Sequence, residues 1–81
     1  MWHEGSILVP VNENERVVCK YWVYAYKRAN KNGINKGKIS KLTIKVNGET
    51  TADYDKGWVI EPNEEDQATL IAYSILLYDY N

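Results

Sequence analysis

The chain has few of the residues on which most enzyme and metal chemistry depends. It contains one cysteine, Cys19, and one histidine, His3. A single cysteine excludes an internal disulfide and a four-cysteine zinc site, and a single histidine excludes most Ser-His-Asp, Cys-His and two-histidine metal arrangements. No apolar run approaches the ~18 residues that a membrane helix needs. Met1 is followed by Trp2 instead of a basic stretch, so we expect no signal peptide and a cytoplasmic protein.

The overall composition is that of a folded soluble domain. Apolar residues make up 44% and charged residues 26% of the 81 residues, a balance unlike that of disordered chains. A chain of this length forms one domain, 1–81, with one modest hydrophobic core.

The basic residues are confined to the middle of the chain. Residues 16–45 include nine basic and no acidic residues, a charge of about +9. The remainder contains all eleven acidic residues and one basic residue, Lys56, a charge of about −10. This separation predicts a molecule with one cationic region, unless the two parts fold against each other and neutralise.

Four segments have the composition and alternation of β-strands, rich in β-branched and aromatic residues. They are residues 6–11, 16–27, 39–46 and 49–55. The dipeptide Asn47-Gly48 between the last two predicts a tight hairpin. A strict two-residue turn would pair Val46 with Glu49 and place Asp53 opposite the core residue Leu42. A bulge at Gly48 would instead bring Ala52 and Tyr54 to the core side, and we favour the bulge.

A helix is predicted over residues 64–79, with Asn63 as the N-cap and acidic residues in the first turn. We therefore expect an α+β fold, an antiparallel sheet of about four strands with one C-terminal helix packed on one face. The helix has a second apolar stripe, which predicts a homo-oligomer because one small core cannot cover both stripes. The predicted interface residues are Tyr73, Leu76 and Tyr80.

The segment at residues 28–38 is rich in Asn, Gly and Lys and has no period, which is typical of a long loop. Ile34 is its only large apolar residue. The sequence therefore predicts a mobile basic loop that can be shortened with little loss of stability.

The second strand separates two kinds of side chain, because alternate residues point to opposite faces. Its odd-numbered residues from Val17 to Ala25 are apolar and belong to the core, whereas most of its even-numbered residues are aromatic or cationic. With the outward residues of the third strand they form a candidate site for a partner or nucleic acid: Lys20, Trp22, Tyr24, Tyr26, Arg28, Lys41 and Lys45. Aromatic stacking with lysines suits single-stranded nucleic acid, and the same residue types also suit a subunit interface.

No cofactor, metal site or catalytic residue is expected. The acidic residues at 61–66 suit a helix N-terminus, and they lack the spacing of a calcium loop. Cys19 falls on the core side of its strand, where a thiol is inert. The missing histidines and the absence of a recognised motif disfavour an enzyme.

Several short motifs resemble a family of small uncharacterised phage and prophage proteins of Gram-positive bacteria. They are Trp2-His3-Glu4-Gly5, Ile39-Ser40-Lys41-Leu42-Thr43-Ile44, Tyr54-Asp55-Lys56-Gly57-Trp58 and the helix that ends near Tyr80-Asn81. The resemblance implies no catalytic residues. It implies a context, since small phage proteins outside the virion often bind and inhibit a host factor, including defence systems.

The function expected from the sequence is non-enzymatic binding. We expect a small phage-type accessory or anti-defence protein that inhibits a host protein or a nucleic-acid-handling complex through its basic, aromatic region. The protein would then act in the host cytoplasm and without a membrane partner. Two alternatives remain open: a sponge that sequesters a nucleotide signal between subunits, and a module that binds single-stranded nucleic acid.

Overall fold

A five-stranded antiparallel sheet with one helix across it accounts for most of the computed structural model, which describes all residues 1–81. The elements are β1 (Trp2–Pro10), β2 (Arg16–Ala25), β3 (Ile39–Val46), β4 (Glu49–Asp55), β5 (Trp58–Ile60) and α1 (Gln67–Tyr80). The strands lie side by side in chain order. The α+β class and the single C-terminal helix agree with the sequence prediction, but the sheet has five strands instead of about four.

The two edge strands differ from the sequence prediction. The sequence predicts that the first strand starts at residue 6, but β1 begins at Trp2. The extra residues are part of the strand because they pair with β2 as far as Tyr24. Gly5 and its neighbours have little strand preference of their own, so this pairing determines their conformation. β5 is absent from the sequence prediction, since three residues after Gly57 are too few to show a period of two.

The β3–β4 hairpin has a two-residue turn at Asn47 and Gly48. Both residues have positive φ angles, 53° and 79°, as a type I′ turn requires. Val46 therefore pairs directly with Glu49, and the predicted bulge at Gly48 is wrong.

The bulge lies further along β4. Thr50 and Ala52 pair with successive residues of β3, which leaves Thr51 as the extra residue. This insertion places Ala52 and Tyr54 on the core side, where both are buried. The prediction that these two residues face the core is therefore confirmed, but the bulge that turns them to that side is at Thr51 and not at Gly48.

The helix begins at Gln67, after the predicted start at 64, because Asp66 is its N-cap. The Asp66 carboxylate accepts the backbone N–H of Thr69 at 3.1 Å. Asn63, the predicted cap, instead accepts the backbone N–H of Glu65 at 2.9 Å in a turn before the helix. No helix of the protein is long and apolar enough to cross a membrane.

The core lies between α1 and one side of the sheet. The helix contributes small residues and one large one, and it packs mainly on β1, β2 and β3. The buried apolar residues are Val9, Cys19, Val23, Ile34, Ile39, Leu42, Ile44, Ala52, Tyr54, Ala68, Ala72 and Leu76. Burial, followed by the negative charge of Asp66, raises the pKa of the Cys19 thiol, so the thiolate that reacts with electrophiles is disfavoured.

The segment at residues 28–38 packs on the body of the protein, and the prediction of a mobile loop is wrong. Ile34 is only 1% exposed and belongs to the core. The Tyr54 hydroxyl donates to the backbone carbonyl of Asn32 at 2.9 Å. A Cβ on Gly33 would collide with the carbonyl of Gly37, so the loop is also closely packed on itself.

The side chain of Asn81 fastens this loop to the end of the helix. Its amide nitrogen donates to the carbonyl of Ile34 at 3.0 Å. Its amide oxygen accepts the backbone N–H of Ile39 at 2.9 Å. One carboxamide thus joins α1, the loop and the first residue of β3.

Candidate functional site

The side of the sheet opposite α1 is not covered by another element of the chain, and we call it the open face. Along β2 the odd-numbered Cys19 and Val23 are buried, so the even-numbered residues point to this face. The open face includes Trp2, Glu4, Ser6, Leu8, Val18, Lys20, Trp22, Tyr24, Lys41, Thr43, Lys45, Thr50, Asp53 and Asp55.

Strand register places two lysines directly opposite each other on the open face. Lys20 of β2 pairs with Lys45 of β3. The next residues across the sheet are Ser6 on β1 and Thr50 on β4. This row therefore contains no carboxylate. Like charges directly opposite each other destabilise a sheet, and no residue of the row offsets the repulsion between the two lysines.

These lysines line an open groove of about 450 Å³, which we call the lysine groove. Its lining residues are Val18, Lys20, Trp22, Lys45, Asn47 and Gly48. The Lys45 ammonium lies 5.7 Å from the centre of the Trp22 ring, within the range of a cation–π interaction. The groove thus has an aromatic wall and two ammonium groups.

Three aromatic rings form a second cluster toward the other end of the open face. Trp2 meets Tyr24 edge-on with ring centres 5.2 Å apart, and Tyr24 meets Tyr26 at 5.4 Å. A smaller hollow of about 160 Å³ beside them, which we call the aromatic hollow, is also lined by Lys41 and Lys56. Pairs in this geometry stabilise one another, and they keep the rings in place at the surface.

Carboxylates lie toward both edges of the open face, Glu4 on β1 and Asp53 and Asp55 on β4, so the face is not uniformly cationic. Lys41 pairs directly with Asp55 across β3 and β4. Asp53 accepts a hydrogen bond from the Thr43 hydroxyl at 3.4 Å. Lys41 therefore has an opposite charge across from it, which neither Lys20 nor Lys45 has.

The predicted site residues are thus divided into two groups and one outlier. Lys20, Trp22 and Lys45 meet in the lysine groove, while Tyr24, Tyr26 and Lys41 line the aromatic hollow. Arg28 is exposed in the loop and lines neither. Sequence reasoning missed Asn47 and Gly48, because an Asn-Gly dipeptide by itself indicates only a hairpin turn.

The three residues predicted for an oligomer interface lie largely within the chain. Leu76 is 1% exposed in the core. Tyr73 packs edge-on against Trp58 at 5.5 Å, and burial, followed by interaction with the Tyr54 hydroxyl, raises its pKa. Tyr80 stacks on His3 with ring centres 4.4 Å apart.

The apolar surface of α1 that remains exposed belongs to other residues. Ile71 is 40%, Ile75 is 37% and Tyr78 is 91% exposed. The two isoleucines are four residues apart and so lie on one face of the helix. The surplus apolar surface expected from the sequence is therefore present, at different positions.

The protein has no group of three or more His, Cys, Asp or Glu side chains that could hold a metal ion. Comparison with curated proteins and with solved structures finds no match. A family model, described as Domain of unknown function (DUF7678), matches residues 1–81. The chain therefore belongs to this domain family of unknown function.

Proposed function

We propose that the protein is a non-enzymatic binding module that holds its partner on the open face of the sheet. The observation that carries the proposal is the uncovered pair of neighbouring sites, the lysine groove and the aromatic hollow. Tryptophan, tyrosine and lysine at the surface offer stacking and charge attraction without a general acid, general base or nucleophile in place.

The partner we propose is a host protein or a nucleic-acid-handling complex that presents negative charge and flat groups. Lys20 and Lys45 provide attraction to negative charge, and Trp22 and Tyr24 provide aromatic contact area. Inhibition of such a host factor by a small phage-type accessory protein is the biological role that fits the resemblance of the sequence motifs. In this role the protein acts by occupying its target.

Affinity capture from host lysate, with and without nuclease, tests the proposal. The bait is the whole chain, compared with Trp22→Ser and with Val59→Ser, which changes an exposed apolar residue of β5 that lines neither the lysine groove nor the aromatic hollow. We expect Trp22→Ser to lose the captured partner and Val59→Ser to keep it. Equal capture by both variants would contradict a role for the open face.

We also propose that two copies associate through the exposed side of α1. Ile71, Ile75 and Tyr78 supply the apolar surface there, and exposed apolar patches of this kind mark interfaces. Light scattering at micromolar concentration should give twice the 9.4 kDa chain mass, and Ile75→Glu should restore the monomer. A wild-type species of one chain mass would contradict this association.

A further inference from the structure

The lysine groove brings together two ammonium groups that have no carboxylate directly opposite them. Lys20 and Lys45 pair across the sheet with no carboxylate in their row. Each ammonium raises the local positive potential for the other, a cost that an anion between them would remove. The groove lining contains no acidic residue. By contrast, Glu49, Glu61 and Asp66 line the groove of about 350 Å³ at the other side of the hairpin.

The hairpin turn adds backbone donors to the same groove. Neither Asn47 nor Gly48 donates its backbone N–H to another group of the protein. Both residues line the groove, and unpaired backbone N–H groups of turns bind anions. The groove lining therefore includes two lysines and two residues with unpaired backbone N–H groups, a set of donors that suits phosphate oxygens.

The aromatic wall of the groove, Trp22, indicates which chemical group a phosphate-bearing ligand would carry beside its phosphate. The Trp22 indole lies beside the Lys45 ammonium and lines the groove with it. Nucleobases stack on such rings whatever their sequence, because every base has a flat π-face. Phosphate donors and an aromatic surface within one groove match the two chemical parts of a nucleotide.

We infer that the lysine groove binds a nucleotide, with its phosphate at Lys20, Lys45 and the hairpin turn and its base against Trp22. This inference rests on the proposed function, since it names the ligand chemistry of the same open face. The nucleotide can belong to a single strand or be a free signalling nucleotide, because both present this chemistry.

Binding measurements with four probes test whether the groove binds a nucleotide, and they distinguish a single strand from a free nucleotide. The probes are a fluorescently labelled ten-residue oligothymidylate, a cyclic dinucleotide, adenosine monophosphate and adenosine. Amide chemical shifts of Gly48 report occupancy of the groove itself. The variants are Lys20→Gln with Lys45→Gln, Trp22→Leu, and Lys31→Gln with Lys38→Gln as the matched control, which removes two charges from exposed loop lysines that line neither the lysine groove nor the aromatic hollow.

We expect a phosphate-bearing probe to shift the Gly48 amide and adenosine to have no effect at the same concentration. The double lysine variant should lower affinity at least about tenfold, and on a single strand it should reduce the salt dependence by about 0.7 for each phosphate that is no longer neutralised. Trp22→Leu should lower affinity without changing the salt dependence, because stacking releases no counterions. Tight binding of the oligonucleotide alone assigns a single strand, and tight binding of the cyclic dinucleotide or monophosphate assigns a free nucleotide.

Three outcomes would overturn the inference. They are no binding of any phosphate probe at about 50 mM salt, equal binding of adenosine and adenosine monophosphate, and equal losses in the Lys20–Lys45 variant and the Lys31–Lys38 control. A cooperative thermal unfolding transition in every variant excludes misfolding as the cause. Failure here leaves the proposed function standing if affinity capture still depends on Trp22, so the two results are separable.

Discussion

The two sides of the sheet are made from the same strands, yet only one has a complete explanation in the fold. On the covered side of β2, Val23 is fully buried against the helix layer, while Val18 on the open face is 48% exposed. Trp22 lies between them in sequence and points to the open side. The covered side therefore accounts for stability, and the aromatic and basic residues of the open face require another reason.

A second contrast lies within the open face. Lys41 has the carboxylate of Asp55 across from it, whereas Lys20 has only Lys45. These lysines look equivalent in the sequence, since all three alternate with apolar residues of strands. Their difference depends on register, and it separates a lysine that supports the sheet from lysines that destabilise it.

The largest expected effect tests whether the loop at residues 28–38 is part of the core on the covered side of the sheet. Ile34→Ala should lower the free energy of unfolding by about 2–5 kcal/mol, because it leaves a cavity beside the core. Chemical denaturation measures the loss. Lys31→Ala, an exposed substitution in the same loop, should change stability by less than about 0.5 kcal/mol. Equal effects of the two substitutions would show that the loop is free of the body.

Two valines of β2, one on each side of the sheet, allow the stability contributions of the covered side and the open face to be compared directly. Val23→Ala should cost about 1.5–3 kcal/mol, from lost burial and the cavity that follows. Val18→Ala removes the same atoms from the open face and should cost less than about 1 kcal/mol, mostly through strand preference. Thermal unfolding of both variants checks the difference, and matching losses would mean that the open face is covered in solution.

The smallest expected effects have opposite signs. Lys20→Gln should raise the free energy of unfolding by about 0.2–1 kcal/mol, because it removes repulsion from Lys45, and Lys41→Gln should lower it similarly by removing attraction to Asp55. Denaturation at low salt measures both, and high salt should shrink them. The same sign in both variants would contradict the register contrast.

The sequence is most informative where the chain has a strict local pattern. Alternation along β2 predicts its two faces, and Asn47-Gly48 predicts the hairpin between β3 and β4. The first and last residues of strands and helices are less predictable. The start of β1, for example, depends on its pairing with β2. The helix start likewise depends on which of Asn63 and Asp66 captures a backbone N–H inside the helix.

The candidate site is predictable in composition but not in arrangement. Residue types along β2 and β3 identify Lys20, Trp22 and Lys45 without showing that they share a groove with a turn. The pairing of Lys41 with Asp55 needs the register of β4, which a one-residue bulge shifts; the sequence predicts that bulge at Gly48, and the structure has it at Thr51. Packing of Ile34 needs tertiary structure, because one apolar residue in a polar loop has no period.

The carboxamide of Asn81 has a consequence for how the molecule opens. It bonds to Ile34 and to Ile39, residues 47 and 42 positions away along the chain. Any fluctuation that frays the last turn of α1 must break both bonds and so release the loop and the start of β3. These three segments therefore form one cooperative unit, and their amide protons should exchange with solvent together instead of helix end first.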